Sequence, residues 1–138
     1  MKHTTIAVDI AKSVFEIAVS TYLGRVDECQ RLSRSSFVKF FALREPATVV
    51  MEACGSAPHW GRKLRQLGHT VVLLPPQYVR PYVRRNKTDR TDAKALLEAY
   101  RNAEIEPVPI KSVEQQQLAA LHRLRSGWLA TRTARLNR

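Results

Sequence analysis

The chain has 138 residues, 44% of them apolar and 25% charged, which suits one compact domain with a core of its own and argues against wholesale disorder. No apolar run approaches the roughly 18 residues of a membrane span, and Met1-Lys2-His3-Thr4-Thr5 leads into a short strand rather than a signal peptide. The net charge is +11 and lopsided: residues 1–58 carry 7 basic and 6 acidic side chains, residues 59–138 carry 16 and 6. A surplus confined to one half suggests a surface for a polyanion, with a solubility feature or an acidic protein partner as the alternative.

Residues 5–10, 14–20 and 25–32 read as three strands with short links, most simply an antiparallel meander. Ser35 or Ser36 is placed to cap a short helix over 37–43, with Phe37, Phe40 and Phe41 at helical spacing. Residues 47–51 form a continuous apolar run of the kind buried on both faces of a sheet. Gly55-Ser56-Ala57-Pro58 turns the chain into a helix lined by Trp60, Leu64 and Leu67 and stopped at Gly68. Residues 70–74 are a further buried strand, ended by Pro75-Pro76. The order predicts a mixed α/β sheet with its first three strands antiparallel and helices packed on it.

A basic link or short helix follows over 75–88, then a helix from about 89 to 102, and a break at Pro107-Val108-Pro109. A long helix starts near Ser112 and shows no Gly or Pro stop. Its stripe of Leu118, Leu121, Leu124, Trp128, Leu129 and Leu136 sits among arginines. This divides the chain into a body at 1–106 and the start of a helical or coiled-coil region at 107–138, expected to be cut from something longer. The alternative is a C-terminal helix folding back on the core. Cys29 and Cys54 form no metal or redox motif and read as reduced thiols of a cytoplasmic protein.

Four carboxylates stand out. Asp9 lies inside an apolar strand, where Asp is depleted. Glu52 closes the 47–51 run, at the strand end where open α/β sheets bind ligands. A satisfied edge position and a solvated strand end are the respective alternatives. A right-handed crossover puts these two strands side by side and parallel, so the two carboxylates repel unless a proton or cation intervenes. In the helix from Asp89, Ala93, Leu96 and Tyr100 fall within about 40° of Asp89, and Asp92 at about 300°. Both aspartates thus lie on or beside the apolar face, although helix capping and the helix dipole also favour acids there. Oxygen-only ligation by such a set suits Mg²⁺ or Mn²⁺ rather than zinc. Two such ions could activate a hydroxyl and stabilise the leaving oxygen of a phosphodiester.

Val8-Asp9-Ile10-Ala11-Lys12, Met51-Glu52-Ala53-Cys54-Gly55-Ser56, His59-Trp60 and Asn86-Lys87-Thr88-Asp89-Arg90-Thr91-Asp92-Ala93 occur in that order. Val108-Pro109-Ile110-Lys111-Ser112, Glu114-Gln115-Gln116, His122-Arg123 and Arg132-Thr133-Ala134 follow. Over nearly its whole length the sequence resembles the N-terminal domain of the DEDD transposases of the insertion sequence 110 type, akin to the Piv DNA invertases. The resemblance implies a RuvC-like, ribonuclease H-like fold with Asp9, Glu52, Asp89 and Asp92 as catalytic metal ligands. It implies Mg²⁺-dependent DNA strand cleavage and transfer in transposition, in the nucleoid of a bacterium or archaeon, with an element-encoded structured RNA as a possible guide. It also implies a further C-terminal domain carrying a serine.

Lys12, Arg80, Arg84, Arg85, Lys87 and Arg90 are the candidate backbone-phosphate contacts, a solvated basic face being the alternative. Ser56 reads as a cap, His59 as a phosphate contact or plain surface, and Trp60 as core. The C-terminal stripe suggests a homo-oligomer. The rival readings are a Holliday-junction-type nuclease on the same fold, a non-catalytic nucleic-acid-binding module, and an actin-like ATPase. The last is weakened by the lack of glycines around Asp9 and of a phosphate loop.

Overall fold

A computed structural model of the chain describes residues 3–22, 24–83 and 89–138, with 89–91 as backbone only. Five strands form one sheet: β1 (Thr5–Ile10), β2 (Val14–Ser20), β3 (Glu28–Ser33), β4 (Thr48–Glu52) and β5 (Thr70–Leu74). Their order is β3-β2-β1-β4-β5. β1–β2 and β2–β3 are antiparallel, while β4 lies parallel to both β1 and β5. The meander and the crossover therefore form as the strand pattern suggests. β3 begins later than expected, because Thr21, Tyr22 and residues 24–27 are used in a turn. There Gly24 takes φ +90 and the Thr21 amide donates to the Asp27 carboxylate.

Strand alternation divides the apolar residues into two layers. Ile6, Val8, Ile17, Val49 and Met51 face α1 (Arg34–Ala42) and α2 (Ala57–Gln66), where Phe15, Phe37, Phe41 and Trp60 interlock at 4.5–5.1 Å between ring centroids. Ala7, Ala18 and Val50 face α4 (Asp89–Arg101), which presents Ala93, Leu96, Leu97 and Ala99. Alanine meeting alanine lets α4 approach β1 closely, and this brings its first turns to the ends of β1 and β4. Ser33, rather than Ser35 or Ser36, caps α1, accepting from the Ser36 amide. The strand continues right up to the helix, so the cap falls on its last residue.

His69 is 4% exposed and ties three elements together. Its Nδ1 accepts from the Ala47 amide at 3.2 Å, and its Nε2 lies 2.9 Å from the Phe41 carbonyl. With both contacts satisfied, Nε2 carries the proton.

After α4 the chain crosses back over α2. Val108 donates to the Leu73 carbonyl at 2.8 Å, and the Arg62 guanidinium donates to the Lys111 carbonyl. This crossing needs Gly61: a Cβ there would stand 2.9 Å from Ile110 Cδ1. Gly61→Ala displaces only the flexible end of Ile110 and is expected to cost about 1 kcal/mol. Gly61→Leu is expected to lift residues 108–111 off α2. Hydrogen exchange at the Val108 amide reads this directly, with protection kept in the first variant and lost in the second.

α5 (Val113–Leu136) starts from a capping box between Ser112 and Gln115. The helix backbone amide at Glu114 and the Ser112 hydroxyl hold the Glu114 carboxylate below its ordinary value, against a smaller opposing effect of burial. α5 does not fold back on the core. Leu118, Leu121, Leu124, Leu129 and Leu136 are exposed and Trp128 is 72% exposed. Among the described residues no helix is long and apolar enough to cross a membrane.

Candidate metal centre

Asp9 and Glu52 are the next residues after the last β1–β4 ladder pair, Val8 with Met51. They sit side by side at the same end of neighbouring parallel strands. By alternation they share the face of Ala7 and Val50, the face covered by α4. Asp92 reaches the same place from the first turn of α4. Together Asp9, Glu52 and Asp92 line a cavity of about 250 Å³ with Val79, Arg80, Val83 and Leu96. The floor is the sheet edge; the apolar wall comes from α4 and from the short turns α3 (Pro76–Val79) and 80–82 that follow Pro75.

Asp92 Oδ1 is buried and has no hydrogen-bond partner among the described residues. A carboxylate oxygen turned away from water without a donor is costly unless a cation or proton meets it. As they stand, no three acidic, histidine or cysteine side chains among the described residues lie close enough together to hold an ion. The donor chemistry nevertheless fits Mg²⁺ or Mn²⁺: hard carboxylate oxygens from three elements, one of them lacking any other partner among the described residues. The Asp89 side chain lies outside the described residues, although its backbone opens α4 one turn before Asp92.

The basic candidates divide. Arg80 lines the cavity. Lys12 is exposed in the tight β1–β2 turn, just past Asp9, where the Ala11 amide donates to the Val14 carbonyl at 3.2 Å. Arg84, Arg85 and Lys87 lie outside the described residues, as does the side chain of Arg90. Ser56 precedes α2 and makes no capping hydrogen bond through its side chain. His59 is exposed beside Trp60, and Trp60 is core as expected, with the Arg34 guanidinium 5.6 Å from its ring centroid.

Sequence reading passed over one charged pair. Glu16 lies opposite Asp9 on β2, is 6% exposed, and accepts from Arg31 of β3. The signal was available: Glu16 interrupts the apolar strand Val14–Ser20 as Asp9 interrupts Thr5–Ile10.

The family model for DEDD transposases of the insertion sequence 110 type, described as "Transposase", matches residues 6–138. A probable family 20 transposase of Pseudomonas aeruginosa strain PAO1 is 43% identical over 137 residues, covering 99% of this chain and 40% of that protein. The transposase for insertion sequence element IS1111A of Coxiella burnetii is 42% identical over 132 residues, covering 96% of this chain and 36% of that protein. The chain thus spans about two fifths of the length of these curated relatives. Among solved structures, Thermus thermophilus RuvC aligns with a TM-score of 0.53 at 12% identity, over 76% of this chain and 99% of that one. The same enzyme in complex with a Holliday junction substrate aligns with a TM-score of 0.50 at 11% identity, over 77% and 99%. At such identity the likeness is one of fold: a mixed five-stranded sheet with helices on both faces, RuvC-like in type.

Proposed function

The chain belongs to the DEDD transposase family of the insertion sequence 110 type, and from that premise we propose that it cleaves and transfers DNA strands with Mg²⁺ or Mn²⁺ in its carboxylate cleft. Asp9, Glu52 and Asp92 hold the ions, with Asp89 as the fourth ligand. One observation carries this reading: three carboxylates from β1, β4 and α4 line one cavity, and Asp92 Oδ1 is buried there without a partner among the described residues. When bound, the ions supply an activated hydroxyl and charge neutralisation at the leaving oxygen. The chain's own part is to orient the phosphodiester. Arg80 meets a phosphate oxygen at the cavity, and the apolar wall of Val79, Val83 and Leu96 limits water.

The remaining basic candidates, Lys12, Arg84, Arg85, Lys87 and Arg90, hold the phosphate backbone beyond the cleft. The same basic half serves a structured guide RNA encoded by the element. Residues 1–106 form the catalytic body. Residues 107–138 open a helical region whose exposed leucines pair two copies of the chain.

The test is Mn²⁺ titration of the 138-residue chain, followed by electron paramagnetic resonance of free Mn²⁺, with a short DNA duplex present. Asp9→Asn is expected to lower the affinity at least tenfold, because the site loses one of its few formal charges. Equal affinity in the wild type and the variant overturns the metal assignment. Duplex binding that persists in EDTA, with no cation-dependent component, then identifies a non-catalytic binding module.

A further inference from the structure

β2 carries a charge that this chemistry does not use. Glu16 stands directly opposite Asp9 across β1–β2, and Arg31 directly opposite Glu16 across β2–β3. Glu52 continues the row on β4, and Leu74 faces Glu52 on β5. Residues opposite one another in a sheet share a face, so Glu52, Asp9, Glu16 and Arg31 form one transverse row on the α4 side. Glu16 does not line the cavity; it stands one strand behind Asp9. It is buried, whereas the Arg31 side chain is 61% exposed. Three carboxylates on three adjacent strands repel, and Arg31 is the only cation in the row. Stability gives little reason for such a pair, since apolar groups of similar volume often serve as well or better.

We propose that Glu16 and Arg31 are a charge-setting pair for the cation site: Glu16 holds the guanidinium on the site face of the sheet, and the pair positions Asp9 and sets the cleft's affinity for a divalent cation. Neither residue is a ligand. The inference rests on the metal-binding reading above and names two positioning residues for it.

The pair has an electrostatic signature that a purely structural role lacks. Glu16→Gln removes one negative charge from the row while the Arg31 charge stays, and is expected to weaken Mn²⁺ binding to the chain by roughly tenfold. Arg31→Gln leaves the Glu16 charge uncompensated and is expected to tighten it several-fold. The double variant returns to within about twofold of wild type, and Arg31→Lys behaves as wild type. Two effects in the same direction, or none, overturn the proposal. Should Arg31→Gln fail to fold, the isosteric Glu16→Gln decides alone, and unchanged affinity there overturns it. Asp9→Asn and Asp92→Asn separate the two failures. If they too leave Mn²⁺ binding unchanged, the metal reading has failed. If they abolish it while Glu16→Gln and Arg31→Gln do nothing, only the charge-setting role has.

Discussion

Asp92→Asn is expected to make the chain harder to melt and, at the same time, to stop Mg²⁺ from stabilising it. In the absence of ions the carboxylate keeps Oδ1 buried with no donor among the described residues, and two further carboxylates line the same cavity. An amide of the same shape carries no charge. The buried position keeps a polar atom, but the repulsion from Asp9 and Glu52 is gone; relief of such like-charge repulsion is worth about 1 kcal/mol, which for a chain of this size raises Tm by roughly 3–5 °C. The wild type, unlike the variant, should gain stability from saturating Mg²⁺. A ligand at 100 times its Kd stabilises the folded form by about 2.7 kcal/mol, and the variant should lose that gain. Differential scanning calorimetry with and without Mg²⁺ gives both numbers. A variant that melts lower without ions would show that Asp92 serves the fold. A variant still stabilised by Mg²⁺ would place the ion elsewhere.

His69→Ala is the variant expected to damage the fold most. The imidazole satisfies the Ala47 amide and the Phe41 carbonyl, and its ring packs edge-on to Phe41 at 5.2 Å. Alanine leaves two buried backbone groups without partners and a hole beside the ring. At about 1–3 kcal/mol for each orphaned group, the loss should reach about 3–5 kcal/mol. Urea unfolding should show a lower midpoint with an unchanged slope. The variant should keep its Mn²⁺ affinity under folding conditions, because His69 precedes β5 and lies at the opposite end of the sheet from the cavity. A loss below about 1 kcal/mol would mean that water replaces the imidazole at both groups.

What the sequence made legible, and what it hid, follows from the range of the forces involved. Asp9 and Glu52 were legible because a charge within an apolar strand conflicts with the local pattern, and because right-handed crossover leaves one way to place the two strands. Asp92 was legible from helical phase alone. The cap of α1 was misplaced by two or three residues: Ser33, Ser35 and Ser36 are chemically equivalent candidates, and only the length of β3 chooses among them. The start of β3 was misplaced for a similar reason, since the Thr21–Asp27 contact is formed by turn geometry rather than by periodicity. Glu16 was missed although its strand pattern matches that of Asp9; its meaning depends on register, which becomes visible only once Asp9, Glu16 and Arg31 are aligned. Gly61 was silent in the sequence because the chain that crosses it lies nearly fifty residues away.

That crossing has a mechanical side. Among the described residues α5 is tied down near its start, where Ile110 seats on Gly61, Arg62 holds the Lys111 carbonyl and the Gln116 amide reaches the Gly55 carbonyl at 3.4 Å. Gly55 follows Glu52 by three residues. Twenty-four helical residues at 1.5 Å each make an arm of about 36 Å. α5 is therefore a lever arm with its fulcrum beside the carboxylate cleft. A tilt of about 5° at the Gly55 turn swings Leu136 by about 3 Å, and a load taken up at Trp128 or Leu136 returns along the same arm, magnified in force, to the turn that follows Glu52 at the end of β4.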